Sequence, residues 1–266
     1  MKINYQETTE DLQKRIDIHE KYGARDIDEW MLELLVPRKE SRILDVGCGA
    51  GKQCHAFYKY LDGDTQITGG DVSEELLGKA KELNRSLGDP FTIMKLDFNQ
   101  PFEFEEDMFD LASCCFAIYY AEDIPFTISE MHRVLKSGGR LFTTGPMPEN
   151  KQLFYDIIRE ATGKPIPPMP GSSRYGSEIL NAIRNLFAKV EVHIFENPLV
   201  FEDLQPFLDY TRASLSEDRL LWKNLFTGKD EFESVMDAIQ CVAEEKIKDT
   251  GELTMTKVVG GIVAIK

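Results

Sequence analysis

The chain has 266 residues, 42% of them hydrophobic and 29% charged, which fits one large globular domain and excludes disordered and fibrous classes. Acidic residues outnumber basic ones 46 to 31, and a net charge of −15 argues against a nucleic acid or an anionic membrane surface as partner. No stretch approaches the roughly 20 apolar residues of a membrane helix, and the polar segment Met1 to Leu12 has no apolar core for a secretory signal.

The five cysteines are Cys48, Cys54, Cys114, Cys115 and Cys241. An odd count with no CxxC spacing argues against a disulfide framework and against a zinc site, so no metal is expected. A reduced, cytoplasmic protein is the expectation.

The first helix is expected from residue 8 to residue 22, with Thr8 or Thr9 as cap and Gly23 as the left-handed residue that ends it. A second follows from Asp26, where Ile27, Trp30, Met31, Leu34 and Leu35 form one apolar stripe, and Pro37 stops it. The texture then alternates. Arg42 to Val46 reads as a buried strand that breaks into Gly47-Cys-Gly-Ala-Gly51 and a helix to about Leu61. Gln66 to Gly70 is a strand, followed by Asp71 and a helix from Ser73 to about Leu87. Phe91 to Lys95 and Phe109 to Cys115 are strands, Ile124 to Leu135 a helix, and Arg140 to Gly145 a strand after the stop Ser137-Gly-Gly139. This alternation predicts an α/β doubly wound, mostly parallel sheet with helices on both faces.

After Gly145 the rhythm loosens. Residues 146 to 176 carry six prolines and one helical piece, Lys151 to Ala161. A helix over Ser177 to Phe187 and a strand over Lys189 to Phe195 follow; residues 202 to 248 read as helical and Leu253 to Ile265 as an apolar strand. The expected organisation is an N-terminal helical cap (1–40), a Rossmann-like core (41–197), a helical insertion (198–250) and a final core strand (251–266). The insertion is a lid or a dimer surface, and a homodimer is one expectation.

The strongest chemical signal is Leu44-Asp-Val-Gly-Cys-Gly-Ala-Gly51. Three glycines at a strand-to-helix turn let backbone approach a ligand, and the helix behind them aims unpaired N–H groups at it. The spacing is G-x-G-x-G, not the G-x-G-x-x-G of dinucleotide sites, and Lys52-Gln53 does not complete a phosphate loop. Asp71, at the end of the second strand, faces the same crevice, where a carboxylate can accept from a ribose diol. Asp97 and Phe98, just after the third strand, suit an adenine: the carboxylate accepts from its amine and the ring packs on its face.

Together these segments resemble the class I S-adenosylmethionine-dependent methyltransferases, in order and at normal spacing over Arg42 to Gly145. The resemblance includes Ser129-Glu-Met-His-Arg-Val-Leu-Lys-Ser-Gly-Gly-Arg-Leu141, with Ser137 where the family usually has Pro. It implies a seven-stranded sheet with one reversed strand near the edge, and S-adenosylmethionine as cofactor. It implies that Asp45, Gly47, Cys48, Gly49 and Gly51 line the cofactor's methionine end. Asp71, with Val72 beside it, would hold the ribose, and Asp97 and Phe98 the adenine. Cys115 and Phe116 would pass the sulfonium side.

Such an enzyme needs no catalytic triad, because the sulfonium is already activated and the protein chiefly aligns nucleophile, methyl carbon and sulfur. Tyr119, Tyr120 and His19 are the candidate catalytic residues. The plain alternatives are core or surface packing for the tyrosines and a solvated helix face for His19; Tyr5 and Tyr22 share that last reading. Arg174 could meet a substrate carboxylate. Phe207, Tyr210, Trp222, Phe226 and Phe232 wall a pocket or form the insertion's own core. The expected acceptor is a small molecule. The runner-up is a methyltransferase acting on a protein or a nucleic acid; against it, Cys115-Phe-Ala-Ile118 stands where an N-P-P-[YF] tetrad accompanies methylation of planar nitrogens. A silent cofactor-binding scaffold is the non-enzymatic alternative.

Overall fold

The computed structural model describes residues 9–167, 169–217 and 222–266. Tyr5 and the expected cap Thr8 lie outside them. The helices are α1 (Thr9–Tyr22), α2 (Ile27–Leu35), α3 (Lys52–Tyr60), α4 (Glu74–Ser86), α5 (Ile124–Val134), α6 (Gln152–Thr162), α7 (Pro170–Arg174), α8 (Leu180–Leu186), α9 (Leu204–Glu217) and α10 (Lys229–Thr250). The strands are β1 (Ser41–Val46), β2 (Thr65–Asp71), β3 (Phe91–Lys95), β4 (Phe109–Cys115), β5 (Leu135–Pro146), β6 (Lys189–Phe201) and β7 (Leu253–Ile265).

They form one sheet in the order β3-β2-β1-β4-β5-β7-β6. Strands β1 to β5 pair in parallel, and β7 runs antiparallel to both β5 and β6. The reversed strand is therefore second from the edge. Order reverses between β1 and β4, which opens the crevice at the carboxyl ends of these strands where α/β sheets bind ligands.

The two faces of the sheet follow the two-residue period of the strands. Leu44, Val46, Ala112, Leu141, Ile262 and Ala264 pack on the α5 side with Met131 and Ile183. Ile43, Leu111, Phe142, Val259 and Val263 pack on the other side with Trp30, Met31 and Phe57. A third cluster, between α6, α9, α10 and the distal ends of β6 and β7, buries Phe154, Tyr210, Trp222, Phe226 and Phe232. Phe207, Tyr210, Trp222, Phe226 and Phe232 are the insertion's core, each 6% exposed or less, and Phe154 of α6 packs with them.

Several boundaries differ from the sequence reading, for local reasons. Strand β6 runs to Phe201, past the residue where the helical insertion is expected to begin, and includes Pro198. Proline is tolerated there because β6 is the edge strand and needs no second ladder. Strand β5 starts at Leu135, since Leu135 pairs with Phe109 before the Ser137-Gly-Gly139 turn interrupts the ladder. The proline-rich stretch holds helix α7, and the turn from Tyr175 to Ile179 is π-helical, continuing into α8. Gly23 is not a left-handed cap. It is glycine because a Cβ would fall 2.5 Å from the His19 carbonyl oxygen and 2.6 Å from the Asn197 side chain. Buried Asn197 accepts from the amides of Ala24 and Arg25 and donates to the Arg25 carbonyl, which ties the α1–α2 turn to β6.

No helix among the described residues is long and apolar enough to cross a membrane. No described cysteine is in a disulfide.

Candidate active site

The glycine turn follows β1 at the centre of the sheet. Gly47 and Cys48 both donate their amides to the Gly70 carbonyl, at 2.7 and 3.0 Å, so the turn folds over the end of β2. Gly47 has φ +72°, and a Cβ there would lie 2.6 Å from that of Ala117. Gly49 has φ +53°, and a Cβ there would meet nothing within 4 Å. The first position is glycine for want of room; the second is glycine by conformation and faces open space. Cys48 is buried and its thiol lies toward the Gly49 carbonyl at 3.8 Å.

Helix α3 begins directly after Gly51, which has φ +85° and supplies no side-chain cap. Its first amides and the positive end of its dipole therefore point out of the turn. Gln53, in the same first turn, is buried with its amide nitrogen unpartnered among the described residues. These are donors waiting for an acceptor.

Asp71 is fixed by two backbone amides. One oxygen accepts from Gly49 at 2.9 Å and the other from Ser73 at 2.8 Å. Ser73 in turn caps α4 by accepting from Leu76. The carboxylate thus latches the glycine turn and keeps its remaining lone pairs on the crevice side. Val72 beside it is 55% exposed, an apolar side chain left open next to a charged one. Asp97 is oriented by accepting a hydrogen bond from the Asn99 backbone N–H at 2.9 Å, and the Asn99 side-chain oxygen accepts from the Glu122 N–H at 2.8 Å. The half-buried Phe98 ring comes within 3.9 Å of where a Gly47 Cβ would be. Asp71, Asp97, Phe98 and the glycine turn are thus brought to one edge of the sheet.

Asp45 is placed differently from the expectation. It is 1% exposed, with one oxygen accepting from the Ser113 hydroxyl at 2.7 Å and the other from the Cys54 thiol at 3.6 Å. Its side chain lies beneath the turn and braces β1 against β4 and α3. Burial pushes its carboxyl up to about 6, against the pull of the Ser113 and Cys54 hydrogen bonds and with the Asp71 charge adding to the rise. A carboxyl raised in the fold contributes stability that is full below about pH 4 and lost as pH rises through about 6. Asp45→Asn is expected to flatten that segment of a melting temperature profile; a variant that loses stability from pH 4 to 6 as steeply as wild type would place the titration elsewhere.

At the end of β4, Phe116 adopts φ +55° and donates its amide to Thr144 at 3.0 Å. Burial pushes the Cys114 and Cys115 thiols well up, which rules both out as thiolate nucleophiles near neutral pH. Tyr119 is buried and Tyr120 half-buried, their ring centroids 4.7 Å apart, on the α5 side of the sheet. His19 instead packs edge-on against Tyr210 of α9 at 5.4 Å, so the structure does not bring the three candidate catalytic residues together. Nor is His19 on a solvated face: burial, then the charges of Lys257, Lys151 and Arg15, push its imidazole well down. Arg174 donates to the carbonyls of Tyr119 and Ala121 at 2.8 Å and to Glu178, which makes it a strap for the turn after β4. The sequence reading missed Ser113, Gln53, Lys151 and Lys257. A lone lysine in the apolar strand β7 was the only available hint of the last.

A family model described as "Methyltransferase domain" matches residues 43–139. Demethylmenaquinone methyltransferase of Staphylococcus aureus is 34% identical over 136 residues, 48% of this chain and 55% of that protein. The "uncharacterized methyltransferase YcgJ" of Bacillus subtilis is 29% identical over 110 residues, 41% of this chain and 42% of that one. The chain thus spans about half the length of the curated relatives it matches. The YcgJ crystal structure superposes with a TM-score of 0.58 at 17% identity, covering 90% of this chain and 97% of that one. A putative methyltransferase from Bacillus halodurans gives a TM-score of 0.59 at 18% identity, covering 90% and 98%. The glycine turn, Asp71 and Asp97 all lie within the matched residues 43–139, at the carboxyl edge of a 3-2-1-4-5-7-6 sheet, so this part of the chain is similar to methyltransferase domains.

Proposed function

We propose that this chain transfers a methyl group from S-adenosylmethionine to a small-molecule acceptor. One observation carries the reading: an open Gly49, the uncapped start of α3 and the latched Asp71 carboxylate share one crevice edge with Asp97 and Phe98. That set fits the group. Amides of the turn and α3, with Gln53, suit a carboxylate; Asp71 suits the ribose hydroxyls; Asp97, Phe98 and the exposed Val72 suit adenine. When bound, the cofactor supplies a sulfonium methyl whose S–C bond breaks as the acceptor's bond forms, the electron pair staying on sulfur.

The protein's part is alignment and exclusion of water. Phe116 and Cys115 close the sulfonium side. Tyr120 stands at the same edge, one turn beyond Phe116, and is the candidate best placed to orient an acceptor. Acceptor choice falls to α1, the 146–176 stretch and the insertion, which lie outside the matched residues 43–139. The Staphylococcus aureus relative is named for demethylmenaquinone, but its likeness covers only 48% of this chain. Incubation with methyl-labelled S-adenosylmethionine and fractionated small metabolites tests the reading. Label transfer with release of S-adenosylhomocysteine is expected; product binding without transfer to any fraction would favour a silent scaffold.

A further inference from the structure

Lys257 of β7 makes no hydrogen bond or ion pair with any described residue, in a chain that carries 46 acidic residues against 31 basic ones. Its cross-strand neighbour on β6 is Asn197, whose side chain is spent on Ala24 and Arg25. Asp28 of α2, whose charge reaches Lys257, is engaged with Lys52 at 3.0 Å, and Glu20 of α1 holds the same Lys52 at 3.2 Å. What the Lys257 nitrogen faces is the Phe116 ring, 5.5 Å away at its centroid. A ring face is a weak partner for an ammonium and does not replace a carboxylate.

The register sets this residue at the carboxyl edge of the sheet. Val259 pairs with Pro146, the last residue of β5, so Lys257 lies two positions past the end of that strand. Phe116 directly follows Cys115, the last residue of β4, and its φ of 55° is a left-handed conformation of the kind that clusters at ligand sites. Asp97, Asp71 and the glycine turn follow β3, β2 and β1, and in the sheet order Lys257 lies on the opposite side of β4 from all three. Phe116 therefore stands between the cofactor residues and Lys257, where a methyl group passes from one side to the other.

The electrostatics agree with the geometry. Burial pushes the Lys257 ammonium down to about 7, and the charges of Lys151 just before α6, Arg15 of α1 and Lys52 of α3 push it the same way, with Asp28 opposing. Lys151 and Arg15 have interactions of their own, and the sign of their charge still acts on Lys257. Lys257 in turn helps burial to keep His19 of α1 neutral. An amine that is half neutral near pH 7 has a lone pair to offer, which a general base needs.

We propose that Lys257 contacts the methyl acceptor beside Phe116 and takes up the proton that its nucleophile loses, so that the acceptor is a protic small molecule, one whose hydroxyl, thiol or amine arrives still carrying its proton. This rests on the methyltransferase reading and names its substrate class. As the acceptor's lone pair bonds to the methyl carbon, the S–C electron pair stays on sulfur. The acceptor's bond to hydrogen leaves its electrons on the nucleophilic atom, and the proton passes to the Lys257 nitrogen. One positive charge enters the site on sulfur and ends on nitrogen, so a desolvated site holds a single cation before and after the step. An acceptor that arrives as an anion needs no base there.

The affinity of S-adenosylmethionine relative to S-adenosylhomocysteine tests this before any acceptor is known, because the two differ only by the methyl group and charge on sulfur. Calorimetry on wild type, Lys257→Gln and Lys257→Arg reads it. In wild type, S-adenosylmethionine is expected to lose about threefold or more against S-adenosylhomocysteine between about pH 8.5 and about pH 5.5, as Lys257 becomes charged beside the sulfonium. Lys257→Gln is expected to abolish that loss, and Lys257→Arg to show it at every pH. A flat ratio in wild type overturns the proposal and leaves the methyltransferase reading intact. So does a wild-type slope in Lys257→Gln, which would belong to Asp45, whose carboxyl titrates near 6 beneath the glycine turn. With a fraction that accepts label, Lys257→Gln is expected to lose about 100-fold or more in kcat, and with it the fall of wild-type kcat/KM below neutral pH. Wild-type turnover in that variant also overturns the proposal. Folded wild type that binds no S-adenosylhomocysteine, or that labels no fraction, removes the underlying reading instead.

Discussion

Replacing Asp71 with Ala is expected to weaken S-adenosylhomocysteine binding by about tenfold at the least, and by more than a hundredfold if both ribose hydroxyls are held, at roughly 1.5–3 kcal/mol per charge-assisted hydrogen bond. Two losses add. The ribose loses its acceptor, and the Gly49 amide loses the oxygen at 2.9 Å that latches the turn. The Ser73 amide loses its partner as well, and with it some of the geometry that starts α4. Asp71→Asn separates the two effects, because its side-chain oxygen can keep one backbone latch while the charge is gone. Calorimetric titration of the three proteins reads the result directly. Equal affinity in wild type and Asp71→Ala would show that the carboxylate is only a loop brace.

The largest stability effect is expected at Tyr175, which no functional reading requires. Its side chain is 1% exposed and fills the space over two glycines of adjacent strands. A Cβ on Gly145 would lie 2.4 Å from the ring and one on Gly260 2.8 Å. The hydroxyl donates to the Thr143 carbonyl at 2.6 Å and lies 3.0 Å from the Thr143 hydroxyl. Burial pushes the phenol well above its usual range, so it stays a neutral donor at any pH the fold survives. Tyr175→Ala is expected to cost about 3–5 kcal/mol by opening a cavity between β5, β7 and α8. Tyr175→Phe keeps the ring and is expected to cost about 1–1.5 kcal/mol. Urea denaturation measures both. A cost below about 1 kcal/mol for Tyr175→Ala would mean that the glycines and the ring are not packed as described.

The difference between these two residues shows what was legible. Asp71 announced itself: an acid at the end of a strand, at a fixed distance from a glycine turn, has a local meaning. The same holds for Asp97, Phe98 and the strand–helix alternation that fixed the fold class. Tyr175 sat in a loop by sequence, because a five-residue π-turn bounded by short helices leaves no periodic signal. Asp45 was legible as a motif residue but not in its orientation. Only the contact with Ser113 from β4 and Cys54 from α3 turns it beneath the turn. Gly23 was read as a conformational residue when its reason is crowding by Asn197, 174 positions away in the chain. The surroundings of Lys257 were the least legible feature: Lys151 and Arg15, whose charges act on it, come from other elements, and each looks ordinary in its own segment.

The proposed function stands or falls with the glycine turn and Asp71 as a site for S-adenosylmethionine. Titration calorimetry of S-adenosylhomocysteine into the wild type, with NAD as the contrast, tests it most directly. One site of micromolar affinity, about −8 kcal/mol, is expected for the former and none for the latter. A folded protein that binds NAD in its place, or binds neither, would contradict it.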